Sequence, residues 1–114
     1  MEKQRKMPRQ GCSIPCSIFA DEQEIEAYVA DVSASGLSLS PKSGDIPEVI
    51  TTAETLKVRI DMEDFSDMGG VIEFEGVLRW RRGLLVGLEM VSVDKPNFKK
   101  WWYLIYKLFF PQQS

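Results

Sequence analysis

In "TLKVRIDM" apolar and polar residues alternate without a break: Leu56, Val58, Ile60 and Met62 share one parity, and Lys57, Arg59 and Asp61 the other. A period of two belongs to a strand with one face buried and the other wet. The same reading places strands in "CSIPCSIF" (12–19), "EIEAYVADVS" (24–33), "GLSLS" (36–40), "VIEFEGVLRW" (71–80) and "LLVGLEMVSV" (84–93). The connections "ADEQ" and "RRG" are short enough for tight turns between antiparallel strands. "PKSGDIPEVITTAE" (41–54), with two prolines and a glycine, reads as loop, as does "EDFSDMGG" (63–70).

Beyond Asp94 the period changes. Phe98, Trp101, Trp102, Ile105, Leu108 and Phe109 recur at three- and four-residue steps, Asp94 can cap the start, and Pro111 ends the pattern. This predicts an amphipathic helix over 94–110 with that set as its buried face. Six short strands and one helix predict a mainly β fold, a six-stranded antiparallel barrel with a C-terminal α-helix, because closure removes the edges that short strands would expose. The division expected is a flexible basic lead over 1–11, a barrel over 12–93 and the helix, all in one domain. Tyr103, Leu104, Tyr106 and Phe110 are left for the other sides of the helix, more apolar surface than a small barrel hides. That surface is expected to carry the output or to form a homodimer.

Composition narrows the classes. With 114 residues, 44% of them hydrophobic, the chain supports one core. A formal charge of −3, and strands that carry Glu24, Glu26, Glu73, Glu75 and Glu89, argue against DNA or RNA as partners. The chain has no histidine, and no carboxylate pair or activated serine has a recognisable partner, so an enzyme is not expected. Cys12 and Cys16 fall on one face of an extended segment, but two sulfurs without histidine make a poor zinc site; they are read as reduced, partly buried thiols, and neither metal nor cofactor is expected. No apolar run is long enough to span a membrane, and the lead "MEKQRKMPRQ" lacks the apolar segment of a secretory signal, so a cytoplasmic location is expected. Lys99, Lys100 and Lys107 add too little charge to expect membrane attachment.

Two short motifs remain. "RKMPR", Arg5 to Arg9, has two arginines four residues apart, and "DVSASG", Asp31 to Gly36, has a carboxylate, a hydroxyl and a glycine at fixed spacing. In this order, on six strands and a helix, they resemble the R-x-x-x-R and D/N-x-S-x-x-G signatures of PilZ domains; "GVLRWRRGLLVGLEM" is similar to the late strands of that family. The resemblance covers almost the whole chain and implies a receptor for cyclic di-GMP that signals to an unidentified effector protein. A PilZ-fold adaptor that no longer binds the nucleotide is the alternative.

The residues suit that ligand chemically. Arginine offers two parallel donors to guanine O6 and N7, stacks on purines and pairs with phosphate, so Arg5 and Arg9 are the first candidates. Asp31 accepts only, which fits the N1–H and N2–H₂ edge of guanine. Ser33 can donate to phosphate or a base edge, and Gly36 permits positive φ and close backbone approach. Resemblance to other members adds Trp80 as a wall and Arg82 as a phosphate contact. Gln4 and Gln10, where many members have arginine, leave the stoichiometry open. Parity raises one difficulty: Asp31 and Ser33 share it with Ile25, Ala27 and Val29, so the strand must end or bulge before they can reach an outer face. Trp80 likewise shares parity with Ile72, Phe74 and Leu78.

Overall fold

The computed structural model describes residues 10–62 and 70–109. It contains six strands, β1 (Gln10–Ala20), β2 (Gln23–Ser33), β3 (Gly36–Pro41), β4 (Leu56–Asp61), β5 (Val71–Arg82) and β6 (Leu85–Ser92), with helices α1 (Glu48–Thr52) and α2 (Lys95–Phe109). The strands pair antiparallel in the closed order β1-β2-β3-β6-β5-β4, and β4 returns to β1. The alternation read in β4 is the one observed: Leu56, Val58 and Ile60 are buried, Lys57, Arg59 and Asp61 exposed. They meet Ile14, Ile18, Val29, Leu37, Leu39, Ile72, Phe74, Val86 and Leu88 in one core. Between β1 and β2 the chain reverses on Asp21 and Glu22, both at positive φ, the backbone of a two-residue hairpin turn.

The segment 41–54, expected as loop, holds α1. Five residues are too few to show a helical period, and such a helix persists only because tertiary burial supports it. Ile50 supplies that support: it is fully buried, with Ile46, Val49 and Ala53 packed around the same core.

Helix α2 packs on β5 and β1, rotated from the expected facing. Trp101, Leu104 and Ile105 are its buried residues, whereas Phe98, Trp102 and Tyr106 are 41%, 45% and 49% exposed, and Tyr103 is half-buried. Leu104, read as surplus, is therefore core, while Phe98 and Trp102, read as core, form an exposed row with Tyr106. Phe110 lies outside the described residues. Polar bonds fix this rotation. Asp94 accepts from the Asn97 backbone N–H and side-chain amide, each at 2.9 Å, and Asn97 Oδ1 in turn accepts from the Glu73 N–H of β5 at 2.8 Å. Lys100 Nζ donates to the Val71 carbonyl at 3.0 Å, and Trp101 Nε1 to the Ala34 carbonyl at 3.2 Å. The indole also meets Phe74 edge-on at 5.5 Å. No helix among the described residues is long and apolar enough to cross a membrane.

Both thiols point inward. Cys16 is buried and Cys12 half-buried, with Sγ donating to the Val29 carbonyl at 3.6 Å. Burial pushes Cys16 up to about 12, with Cys12 adding to the effect. It pushes Cys12 up to about 11, reinforced by the Asp31 carboxylate.

Two outcomes are expected for the thiols. At pH 8 only about one thiol in a thousand at Cys12, and fewer at Cys16, carries the reactive thiolate, so an aromatic disulfide reagent labels the native protein slowly and the urea-unfolded chain at once. Both groups hold their proton more tightly folded than unfolded. The stability they contribute is thus complete below about pH 9 and falls as pH rises towards 11–12, which denaturation at pH 8 and 10 measures. For the helix, Asn97→Ala leaves the half-buried Glu73 N–H without its acceptor and costs about 0.5–1.5 kcal/mol by urea titration, the net range for one hydrogen bond.

Candidate functional site

The parity difficulty is resolved by bulges. Val29 pairs with Leu39 and Asp31 with Ser38, so Ala30 is an extra residue in β2. Val29 and Val32, three apart, are both fully buried, and Asp31 and Ser33 move to the outer face. β1 takes in one residue of its own between Gly11 and Ile14, which keeps Gly11 opposite Asp31. In β5 the same happens at Arg79: Leu78 pairs with Leu88 and Trp80 with Gly87, so Trp80 leaves the core parity of Ile72 and Phe74 and stands outside.

Cross-strand partners point to one side of a sheet, so these registers define a row over five strands: Gly11, Asp31, Ser38, Gly87 and Trp80. A second row, one pleat along, holds Ser33, Gly36 and Glu89. Together they carry two carboxylates, two hydroxyls, an aromatic plane and three glycines. A shallow depression of about 190 Å³ opens among Ser33, Ser35, Gly36, Arg79, Trp80, Gly87 and Glu89.

Each position has its own local reason. Gly36 does not take positive φ; it is needed because a Cβ there would stand 2.2 Å from the Leu88 carbonyl oxygen, inside the β6 backbone. Ser33 is buried, and its hydroxyl donates to the Gly36 carbonyl at 3.3 Å, pinning the turn and leaving its lone pairs to accept. Ala34 and Ser35 complete the turn, whose carbonyls accept from Trp101 Nε1 and, at 2.9 Å, from the Met90 N–H. Arg82 places its guanidinium 5.2 Å from the Trp80 ring centre. Arg79, the extra residue, is ion-paired with Glu89 at 2.5 Å.

Ser38 is the residue that motif reading passed over. Between two core leucines in "GLSLS" it faces outward, and its fully buried hydroxyl is unpaired among the described residues. Such a group costs free energy unless something supplies a partner, so it marks the row as a place where polar contacts are made. Alternation alone could have flagged it; its burial could not be read from sequence.

Arg5 and Arg9, and with them the mobility expected of the lead, lie outside the described residues. In the sequence Arg9 precedes Gly11 by two residues, and Gly11 pairs with Asp31. Asp31 and Glu89 offset Arg79 and Arg82 within the described face.

The PilZ domain model matches residues 3–107. Among solved structures, the Bacillus subtilis inhibitor of motility (MotI/DgrA) superposes with a TM-score of 0.71 at 17% identity over 99% of this chain, which spans 55% of that protein. The PilZ domain with c-di-GMP of YcgR from Escherichia coli gives 0.69 at 14% identity over 97% of this chain and 95% of that one. The PilZ domain of CeSA from a cellulose-synthesizing bacterium gives 0.64 at 10% identity over 93% and 99%. Curated proteins give no match. Motifs, barrel order, terminal helix and the match over nearly the full length agree, and the chain belongs to the PilZ domain family.

Proposed function

We propose that the protein is a cyclic di-GMP receptor, binding the dinucleotide on the outer barrel face and signalling to an effector protein, with no catalytic step. The observation that carries this reading is the pair of bulges at Ala30 and Arg79. They bring Asp31, Ser33 and Trp80 onto the surface that Ser38 already faces. Asp31 accepts from the N1–H and N2–H₂ edge of guanine, an edge that the arginines cannot use. Arg5 and Arg9 supply bidentate donors for O6/N7 or phosphate. Ser38 acquires the partner it otherwise lacks, and Arg82 gives a further cation.

The output leaves through α2. The Ser33–Gly36 turn that lines the site is tied to this helix by the Trp101–Ala34 bond, so a shift of the turn on binding alters the seating of a helix whose outer row is Phe98, Trp102 and Tyr106. A partner protein, or a second copy of the chain, reads that row.

Calorimetric titration with cyclic di-GMP tests the reading. A dissociation constant in the micromolar range or tighter is expected, about −8 kcal/mol or more favourable, and the same isotherm gives the stoichiometry. Arg9→Ala weakens binding at least tenfold, and a native-like isotherm for Arg5→Ala combined with Arg9→Ala would refute the site. Ser38→Ala separates site from fold: removing an unpaired buried hydroxyl leaves urea stability unchanged or higher while affinity drops. No heat from the native protein would favour the adaptor.

Specificity gives a second check. Cyclic di-AMP lacks the donors that Asp31 accepts, so it binds far more weakly, and Asp31→Ala narrows the gap between the two dinucleotides. Equal binding of both by the native protein would remove Asp31 from its role.

A further inference from the structure

Gly87 belongs to neither motif, yet its surroundings are unusual. An ideal Cβ built on it would stand 2.1 Å from Cε2, 2.2 Å from Nε1 and 2.6 Å from Cζ2 of Trp80. The indole therefore lies directly against the β6 backbone, in space that every other residue type fills. Gly87 is buried for this reason, although its parity places it outside the barrel between the core residues Val86 and Leu88.

Two further observations orient the ring. The extra residue at Arg79 turns Trp80 outward but does not by itself decide whether the indole stands up from the sheet or lies down on it. The bare backbone at Gly87 admits the flat arrangement. Lying down, the ring reaches back along the row towards Ser38 and Asp31, each strand being ~4.8 Å from the next. The Arg82 guanidinium stands over the ring at 5.2 Å, so a planar cation already occupies the kind of position that a planar base would take.

We propose that Gly87 is a positioning residue of the ligand site: it seats Trp80 flat on β6 as a stacking wall, and a guanine base of the ligand takes the place on that wall now held by the Arg82 guanidinium. The inference rests on the cyclic di-GMP reading and goes beyond it, because it assigns a role to a residue outside both motifs and identifies the group that the base displaces. The exchange is balanced. Arg82 gives up a cation–π contact and becomes free to meet a phosphate, while the indole exchanges one planar partner for another. Because every base has a π face, the wall adds affinity without choosing guanine; that choice stays with Asp31.

The test is a double-mutant cycle of Gly87→Ala and Trp80→Ala read by calorimetry with cyclic di-GMP, alongside the Trp80 indole N–H resonance in nitrogen-labelled protein. Trp101 and Trp102 serve as internal references. In the native protein the Trp80 resonance shifts on titration. Gly87→Ala moves it before any ligand is added and weakens binding roughly fivefold or more, the scale of one stacked base. Trp80→Ala costs about the same, and adding Gly87→Ala to it costs nothing further. This last comparison stands even where Gly87→Ala alone folds poorly, since the collision is absent without the indole. A native-like isotherm for Gly87→Ala, an undiminished cost of Gly87→Ala in the Trp80→Ala background, or a Trp80 resonance that ligand does not move overturns the inference while the native isotherm leaves the receptor reading in place. A native protein that does not bind at all overturns both.

Discussion

Between Val29 and Asp31 the β2–β3 ladder takes in one residue without a partner, and the place of Asp31 and Ser33 on the outer face depends on that insertion. Strict alternation would send Asp31 into the barrel and Val32 out of it. Burying an unpaired carboxylate costs several kcal/mol, and exposing Val32 forfeits a further ~1.5–3 kcal/mol. A bulge gives up about one ladder bond, net ~0.5–1.5 kcal/mol. The bulged register therefore wins by a wide margin, and the residue composition of "YVADVS" is itself the reason the strand breaks step.

The barrel holds further insertions in other ladders. β1 accommodates an extra residue of its own between Gly11 and Ile14, and β5 another at Arg79. The consequence is a row in which a carboxylate on β2, a hydroxyl on β3 and, across β6, an indole on β5 line up, although they come from positions as far apart in sequence as 31 and 80. Gly36 belongs to the same geometry. It is spared a side chain by the close approach of the β6 backbone, a packing requirement, so exchanging it would damage the barrel along with any site on it.

The helix shows polar bonds deciding what apolar periodicity leaves open. Nine of the fifteen residues from Lys95 to Phe109 are aromatic or aliphatic, so several rotations about the axis would bury a comparable amount of apolar surface. The directional bonds from Asn97, Lys100 and Trp101 select one. Two of these tie α2 to β5, and the third ties it to the turn beside the site, so the rotation that exposes Phe98, Trp102 and Tyr106 also links their seating to that turn.

The strands, the antiparallel barrel, the terminal helix and the two motifs were legible in the sequence because period-two and period-3.6 patterns, turn residues and fixed spacings are local properties of the chain. Asp31, Ser33 and Gly36 could be singled out for the same reason, and the parity difficulty could be stated. Whether β2 bulges, which side of α2 is buried, that α1 forms around Ile50, and that Ser38 and Gly87 share a row with Trp80 were decided only in the tertiary structure. Each depends on a partner 10 to 70 residues away: a ladder register, a carbonyl in the turn between β2 and β3, a backbone approaching within van der Waals contact. Hydrophobic pattern specifies which residues leave water; the closing of the barrel specifies which of the others meet.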